Sequence, residues 1–342
     1  MKTPQNKPVM ILLGGMMIFS MFQACNFNES GLKKSSGAVN EILIVTNDKT
    51  QWEGAVGDSV RAVFAAEMPA LTQPEPKFDL INIADNDFSD LFKKYHNIFI
   101  VNIDPQATEV KSETSQDAWA QPQRVVKITA PDAASFFSEL QLKKESYLKL
   151  FTDLERKRTL TINQLSADMK LSREIEKKFG IYLPVTGGFY KAKETADFMW
   201  IRHKVVKAKQ DIELSILIYT ADYKNPSVFD PRHIIQWRNL VTRENIPGPT
   251  PISFMKVSED YIPPVFDTIN DFPGGFAVET RGLWEVENDF MGGVFISYTF
   301  VDKNTNKVIT LDGYVYNPND DKKNFLRQLE AIFFAMQFVS VK

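Results

Sequence analysis

The stretch Glu41-Ile42-Leu43-Ile44-Val45-Thr46 is an almost unbroken apolar run rich in β-branched residues, the pattern of a buried strand. Val56, Val60, Val63 and Phe64 then fall on one helical face, and Pro69 ends the pattern, which predicts a helix over 54–68. Residues 78–83 alternate apolar and polar side chains, as a half-buried strand does. A short helix is expected over 87–95, with Asp85 or Asp87 as its cap, and two more strands over 97–103 and 124–128. Strands alternating with helices predict an α/β layer with some parallel pairing. From 132 to about 179 the period is helical. Phe136, Phe137, Leu140, Tyr147, Leu148, Phe151 and Leu154 make an apolar stripe, with Lys and Glu opposite. A second helix is expected over 172–179, with Gly180 as its C-cap.

After Gly180 the period changes. Residues 189–193, 197–203 and 212–219 alternate and predict three strands. Asp230-Pro231 opens a helix that includes Ile234, Ile235, Trp237, Arg238 and Val241, with Asp as N-cap and Pro in the first turn. Strands follow over 277–287, 293–301 and 307–316, the last two joined by a hairpin at Asp302-Lys303-Asn304-Thr305-Asn306. An amphipathic helix over 320–339 closes the chain. This order predicts an α+β domain, an antiparallel sheet packed with helices, and is similar to the fold of the PsbP-like proteins. The expected division is a leader over 1–24, a flexible tether over 25–38, an α/β domain over 39–180 and an α+β domain over 181–342.

The leader has its own pattern. Lys2 and Lys7 precede about fourteen nearly continuous apolar residues, Val9 to Phe22, and then Gln23-Ala24-Cys25. That core suits a signal peptide and is short of the roughly 20 residues a membrane helix needs. The arrangement resembles a bacterial lipoprotein signal, although Phe22 and Gln23 are bulkier than the residues usual there. The resemblance implies cleavage before Cys25, a diacylglyceryl group on its thiol and an acylated new amino terminus. Two or three acyl chains hold a protein firmly to a bilayer, where a single one holds it marginally. Residues 26–38, rich in Asn, Ser, Gly and Lys, read as the tether. No acidic residue follows Cys25 directly. By resemblance to lipoprotein sorting this implies the periplasmic face of the outer membrane.

Composition narrows the chemistry. The net charge is -3, and cleavage after Ala24 would remove Lys2 and Lys7 and leave -5. No run of Lys and Arg supplies a basic face, which argues against nucleic acid. A single cysteine excludes a disulfide scaffold. The 26 phenylalanines point instead to a core built by aromatic burial. His96, His203 and His233 are not spaced with one another as metal ligands, and no nucleophile elbow or phosphate loop is present. No metal or cofactor is expected.

Two stretches stand out: Arg281-Gly282-Leu283-Trp284-Glu285-Val286-Glu287-Asn288-Asp289-Phe290-Met291-Gly292-Gly293 and Asp312-Gly313-Tyr314-Val315-Tyr316-Asn317-Pro318. Leu326-Arg327-Gln328-Leu329-Glu330-Ala331-Ile332, Trp52-Glu53-Gly54, Val56-Gly57-Asp58 and Glu75-Pro76-Phe78 accompany them. Together they resemble a Bacteroidota lipoprotein family, the domain of unknown function DUF4837, over most of the chain after the tether. The resemblance implies an envelope lipoprotein and brings no activity with it. Arg281, Trp284, Glu285, Glu287, Asp289, Gly292 and Gly293 are the candidate interaction site. Trp and Arg anchor interfaces, and glycines permit close backbone approach. The alternative is a twisted strand pair in which Trp284 is core. The expected function is a non-catalytic envelope binding or assembly module with a protein or glycan partner. The second reading is a glycan hydrolase using Glu285, Glu287 or Asp289.

Overall fold

The computed structural model describes residues 31–164, 166–207 and 210–339. The leader and Cys25 lie outside the described residues. The first layer runs β1 (Lys33–Lys34), β2 (Glu41–Thr46), α1 (Lys49–Glu53), α2 (Ala55–Phe64), β3 (Asp79–Ala84), β4 (Asn97–Ile103), β5 (Lys111–Gln116), β6 (Ala120–Gln121), β7 (Arg124–Ala130) and α3 (Ala133–Gln164). Its main sheet has the order β3-β2-β4-β7-β5. The first four strands are parallel and β5 is an antiparallel edge. The inner strands are apolar on both faces because both are covered. One face buries Ile42, Ile44, Phe99 and Val126 against Phe64 of α2 and Phe136 and Phe151 of α3. The other buries Leu43, Val45 and Ile98. The helix expected over 87–95 is instead two 3₁₀ turns, Asp85–Asp87 and Phe92–Lys94, and neither has a side-chain cap. Phe88, Phe92 and Tyr95 pack down on this second face, so the segment follows the sheet rather than winding as a helix.

The second layer runs α4 (Met169–Phe179), β8 (Ile181–Tyr182), β9 (Tyr190–Glu194), β10 (Phe198–Lys207), β11 (Gln210–Asp222), α5 (Pro231–Asn245), β12 (Met255–Ser258), β13 (Val265–Phe272), β14 (Gly275–Val286), β15 (Gly292–Asp302), β16 (Lys307–Tyr316), α6 (Lys323–Phe334) and β17 (Gln337–Phe338). Eight strands form an antiparallel sheet of order β12-β14-β15-β16-β11-β10-β9, with β13 also on β14. The protein is thus an α/β layer followed by an α+β layer. Local chemistry sets the helix ends. Asp230 Oδ1 accepts from Arg232 N at 2.9 Å with Pro231 in the first turn, and Gly180 takes φ 69° to end α4. The last helix is shorter than expected, because the chain turns at Ala335 and β17 pairs with β8.

The sheet's two faces are both covered. Ile201, Ile216, Ile296, Leu311 and Val315 bury one face against Leu171 and Ile175 of α4 and Leu329 and Phe333 of α6. Leu217, Tyr219, Phe295 and Trp284 bury the other against α5. No helix among the described residues is long and apolar enough to cross a membrane.

From Lys33 onward the chain is one compact unit. Met68 and Leu71 from the first layer belong to the second layer's core. Asn40 Nδ2 donates to Asn324 Oδ1 at 2.7 Å. The segment leading into β2 is also held. His96 is fully buried, its Nδ1 is 2.5 Å from the Ser36 carbonyl, and its Nε2 is 3.0 Å from Glu155 on α3. Gly37 adopts φ 111°, and a Cβ there would meet the His96 ring at 2.7 Å.

The helix α6 has no side-chain cap of its own. Its cap comes from the buried Glu75, whose two oxygens each accept a backbone N–H, from Lys322 and Lys323, at 2.8 Å. A carboxylate here also meets the positive end of the helix dipole. Glu75→Ala is expected to cost about 2 kcal/mol, since two buried donors lose their acceptor. The check is a urea titration, in which the midpoint should fall while the slope is unchanged.

Candidate functional site

Alternation places Trp200 and Arg202 of β10, Glu213 and Ser215 of β11, Tyr314 and Tyr316 of β16, and Trp284 of β14 on the sheet face that carries α5. Beyond the end of α5 the helix no longer covers this face. There a cleft of 360 Å³ opens, lined by all of these residues except Ser215, together with Ile246-Pro247-Gly248-Pro249, Met255, Val286 and Met291. Clefts of this size and aromatic character hold small ligands.

The walls are fixed. Trp200 Nε1 donates to Ser215 Oγ at 3.1 Å, and Ser215 Oγ donates to Glu213 Oε1 at 3.0 Å. Tyr314 donates to the same oxygen at 2.8 Å. Glu213 also takes a bidentate pair from Arg202, through Nε at 2.9 Å and through Nη2. Arg202 in turn lies over the Trp200 ring at 4.5 Å. Burial works against the Arg202 charge, but the Glu213 carboxylate outweighs it and holds the guanidinium more firmly protonated than a free one. Burial, reinforced by the Glu213 charge, pushes the Tyr314 hydroxyl well above its ordinary value. Arg202 thus spends Nε and Nη2 on Glu213.

The predicted residues separate into three places. Trp284 is in the cleft wall, 2% exposed, with Nε1 donating to the Val315 carbonyl at 3.3 Å. Gly293 makes this possible. A Cβ there would stand 2.2 Å from the Val315 oxygen and 2.8 Å from the indole nitrogen. Arg281 is three positions before Trp284 and so lies on the opposite face. There it is bound to Glu279 and Glu330. Glu285 and Glu287 share Lys256, at 3.1 and 2.5 Å. Asp289 belongs to the β14–β15 turn, where its Oδ1 accepts from Met291 N at 3.0 Å, and the exposed Gly292 opens β15 opposite Glu285. At the tip of this turn Phe290 is fully exposed. Asn288 Nδ2 reaches the carbonyl of the exposed Ile252 at 3.4 Å, so an apolar rim adjoins the cleft. Sequence reasoning missed Trp200, Arg202, Glu213 and Tyr316. Their only signal was position in an expected strand, with Trp200 and Arg202 two apart in one, Glu213 in the next and Tyr316 at the end of another.

Among the described residues no three His, Cys, Asp or Glu side chains come together as a metal site. No curated protein matches the sequence. Solved structures align with parts of this chain, two of them as follows. The crystal structure of LpqN, involved in cell envelope biogenesis of Mycobacterium tuberculosis, aligns with 16% identity over 47% of this chain and 83% of its own, at a TM-score of 0.27. The human StarD13 (DLC2) lipid transfer and protein localization domain aligns with 14% identity over 50% of this chain and 96% of its own, at a TM-score of 0.22. Family models divide the described chain between them. Residues 35–164 match the domain of unknown function DUF8532, so the likeness to DUF4837 is confined to the second layer and does not extend over the first. Residues 168–335, which carry the aromatic cleft, belong to the family of the domain of unknown function DUF4837.

Proposed function

We propose that this protein is a lipid-anchored cell-envelope module that binds a saccharide in the aromatic cleft and does not cleave it. The observation that carries the reading is the cleft itself, 360 Å³ walled by Trp200, Trp284, Tyr314 and Tyr316 with Arg202 locked by Glu213. A sugar ring offers an apolar C–H face and a rim of hydroxyls. Aromatic faces take the first, and a fixed guanidinium edge takes the second. Hydrolysis needs two carboxylates flanking the bond. Among the described residues Glu213 is the one carboxylate in the lining, and its oxygens already accept from Arg202, Ser215 and Tyr314. The anchor of the reading is Cys25, on the periplasmic face of the outer membrane.

The test uses the full chain against an array of envelope polysaccharides, with Tyr316→Ala as the variant, because Tyr316 is only partly buried. Saturable binding that falls at least about tenfold in the variant, with its urea midpoint unchanged, is expected. Equal binding by the two proteins, or none by the wild type, overturns the assignment.

A further inference from the structure

A second cavity lies where α3, α6 and β14 meet, on the sheet face opposite the aromatic cleft. Its centre is Glu330, whose side chain is 1% exposed. Three guanidiniums converge on it: Arg156 Nη2 at 2.5 Å, Arg327 Nη1 at 3.0 Å and Arg281 Nη2 at 3.4 Å. Arg281 also grips Glu279 through Nε at 2.6 Å, and Glu279 accepts from the Tyr298 hydroxyl at 2.6 Å. Arg156 also pairs with the half-exposed Asp153 at 3.3 Å, so three cations face three carboxylates and the charges balance.

The hydrogen bonds do not balance. Nη1 of Arg281, Nε of Arg156 and Nε of Arg327 are buried and have no partner among the described residues. Buried donors are ordinarily paired, and these three are not. All three arginines line one cavity of 270 Å³. At its mouth Lys149 is engaged by Asp271 at 2.5 Å, Lys77 has no ion-pair partner among the described residues, and Glu145 is exposed. Planar guanidiniums brought together from α3, β14 and α6 suit a group with several acceptor oxygens.

We propose that this cavity binds a phosphate group, seated against Arg281, Arg156 and Arg327 and entered past Lys77. The group arrives either as free phosphate or as the monoester headgroup of a lipid. The chemistry at the arginines is the same for both, and the experiment separates them. The full chain is titrated calorimetrically with inorganic phosphate and, separately, with a soluble short-chain phosphatidic acid. Saturable binding of phosphate alone identifies the free anion; binding of phosphatidic acid alone identifies the headgroup. In either case Arg281→Lys, which keeps the charge and loses the fork, is expected to weaken binding at least about tenfold. Lys77→Ala stands outside the buried network and should weaken it about threefold, which keeps the test open if the Arg281→Lys variant does not fold. Tyr316→Ala, in the other cleft, should bind phosphate as the wild type does, so failure of the saccharide reading leaves this test intact. No saturable binding of either probe up to about 10 mM, or equal affinity in the Arg281 and Lys77 variants and the wild type, overturns the proposal.

Discussion

Asp312→Ala is expected to lose about 3–5 kcal/mol of folding stability, a large share of the roughly 5–15 kcal/mol that holds an ordinary domain together. Asp312 lies on β16 and Arg238 on α5, and both side chains are completely buried. Arg238 Nε donates to Asp312 Oδ2 at 2.7 Å, and Nη2 to Oδ1 at 3.4 Å. The guanidinium lies over the Phe295 ring at 3.8 Å, and its Nη1 already has no partner among the described residues. Removing the carboxylate leaves a full charge under α5 with only an aromatic face beside it. An attractive pair of this kind adds little over a well-packed apolar pair, but half of it alone is severely unfavourable. The double variant Arg238→Met with Asp312→Leu should therefore be much more stable than Asp312→Ala. Urea unfolding of the three proteins is the check. A loss below about 1 kcal/mol in Asp312→Ala would mean that the pair is not desolvated as described.

Glu330→Gln is the second large effect, and it has a pH signature. Burial alone would push the Glu330 carboxyl up, but the charges of Arg327, Arg156 and Arg281 outweigh it and hold the carboxyl far below its ordinary value of 4.5. The sign follows from proton binding. Below about pH 4.5 the unfolded chain takes up a proton that the folded chain refuses, so stability is present above that value and is lost as the pH falls. At neutral pH the Gln variant should be less stable by about 3 kcal/mol, because three guanidiniums keep only Glu279 and the half-exposed Asp153 as neighbouring anions. Below about pH 4.5 its stability should fall less steeply than that of the wild type. Thermal unfolding from about pH 7 to about pH 3 checks both. Parallel curves for the two proteins would show that Glu330 is not the group that titrates.

The sequence was legible where one residue's neighbours along the chain decide its state. β2, β4 and β16 follow from apolar runs or alternation, and the start of α5 follows from Asp230-Pro231. β5 was not legible. Lys111-Ser112-Glu113-Thr114-Ser115-Gln116 has no apolar residue, and it is a strand because β7 offers it a free edge. The acids at Asp85 and Asp87 read as a helix cap, yet the apolar face beneath Phe88 and Phe92 bends that segment into turns. The candidate site was legible in one wall only. Trp284 and Gly293 announce close approach of backbone and indole, whereas Arg202, Glu213 and Tyr316 join them only through the register of β10, β11 and β16. Arg281 looked like a neighbour of Trp284 because it is one along the chain. A strand sends residues three apart to opposite sides.

The carboxylate that caps α6 stands 247 residues before the amide it accepts from. Contacts of such long separation close a loop whose entropy must be met before they stabilise anything, which slows folding. During synthesis the first layer emerges early, yet it holds Glu75 ready for a helix made long after it. Completion of the first layer must therefore wait for Lys322 and Lys323. A chain stopped before Lys322 would lack more than α6, because it would leave a buried acid without its donors. The start of α6 acts as a proof of completeness for the layer that precedes it.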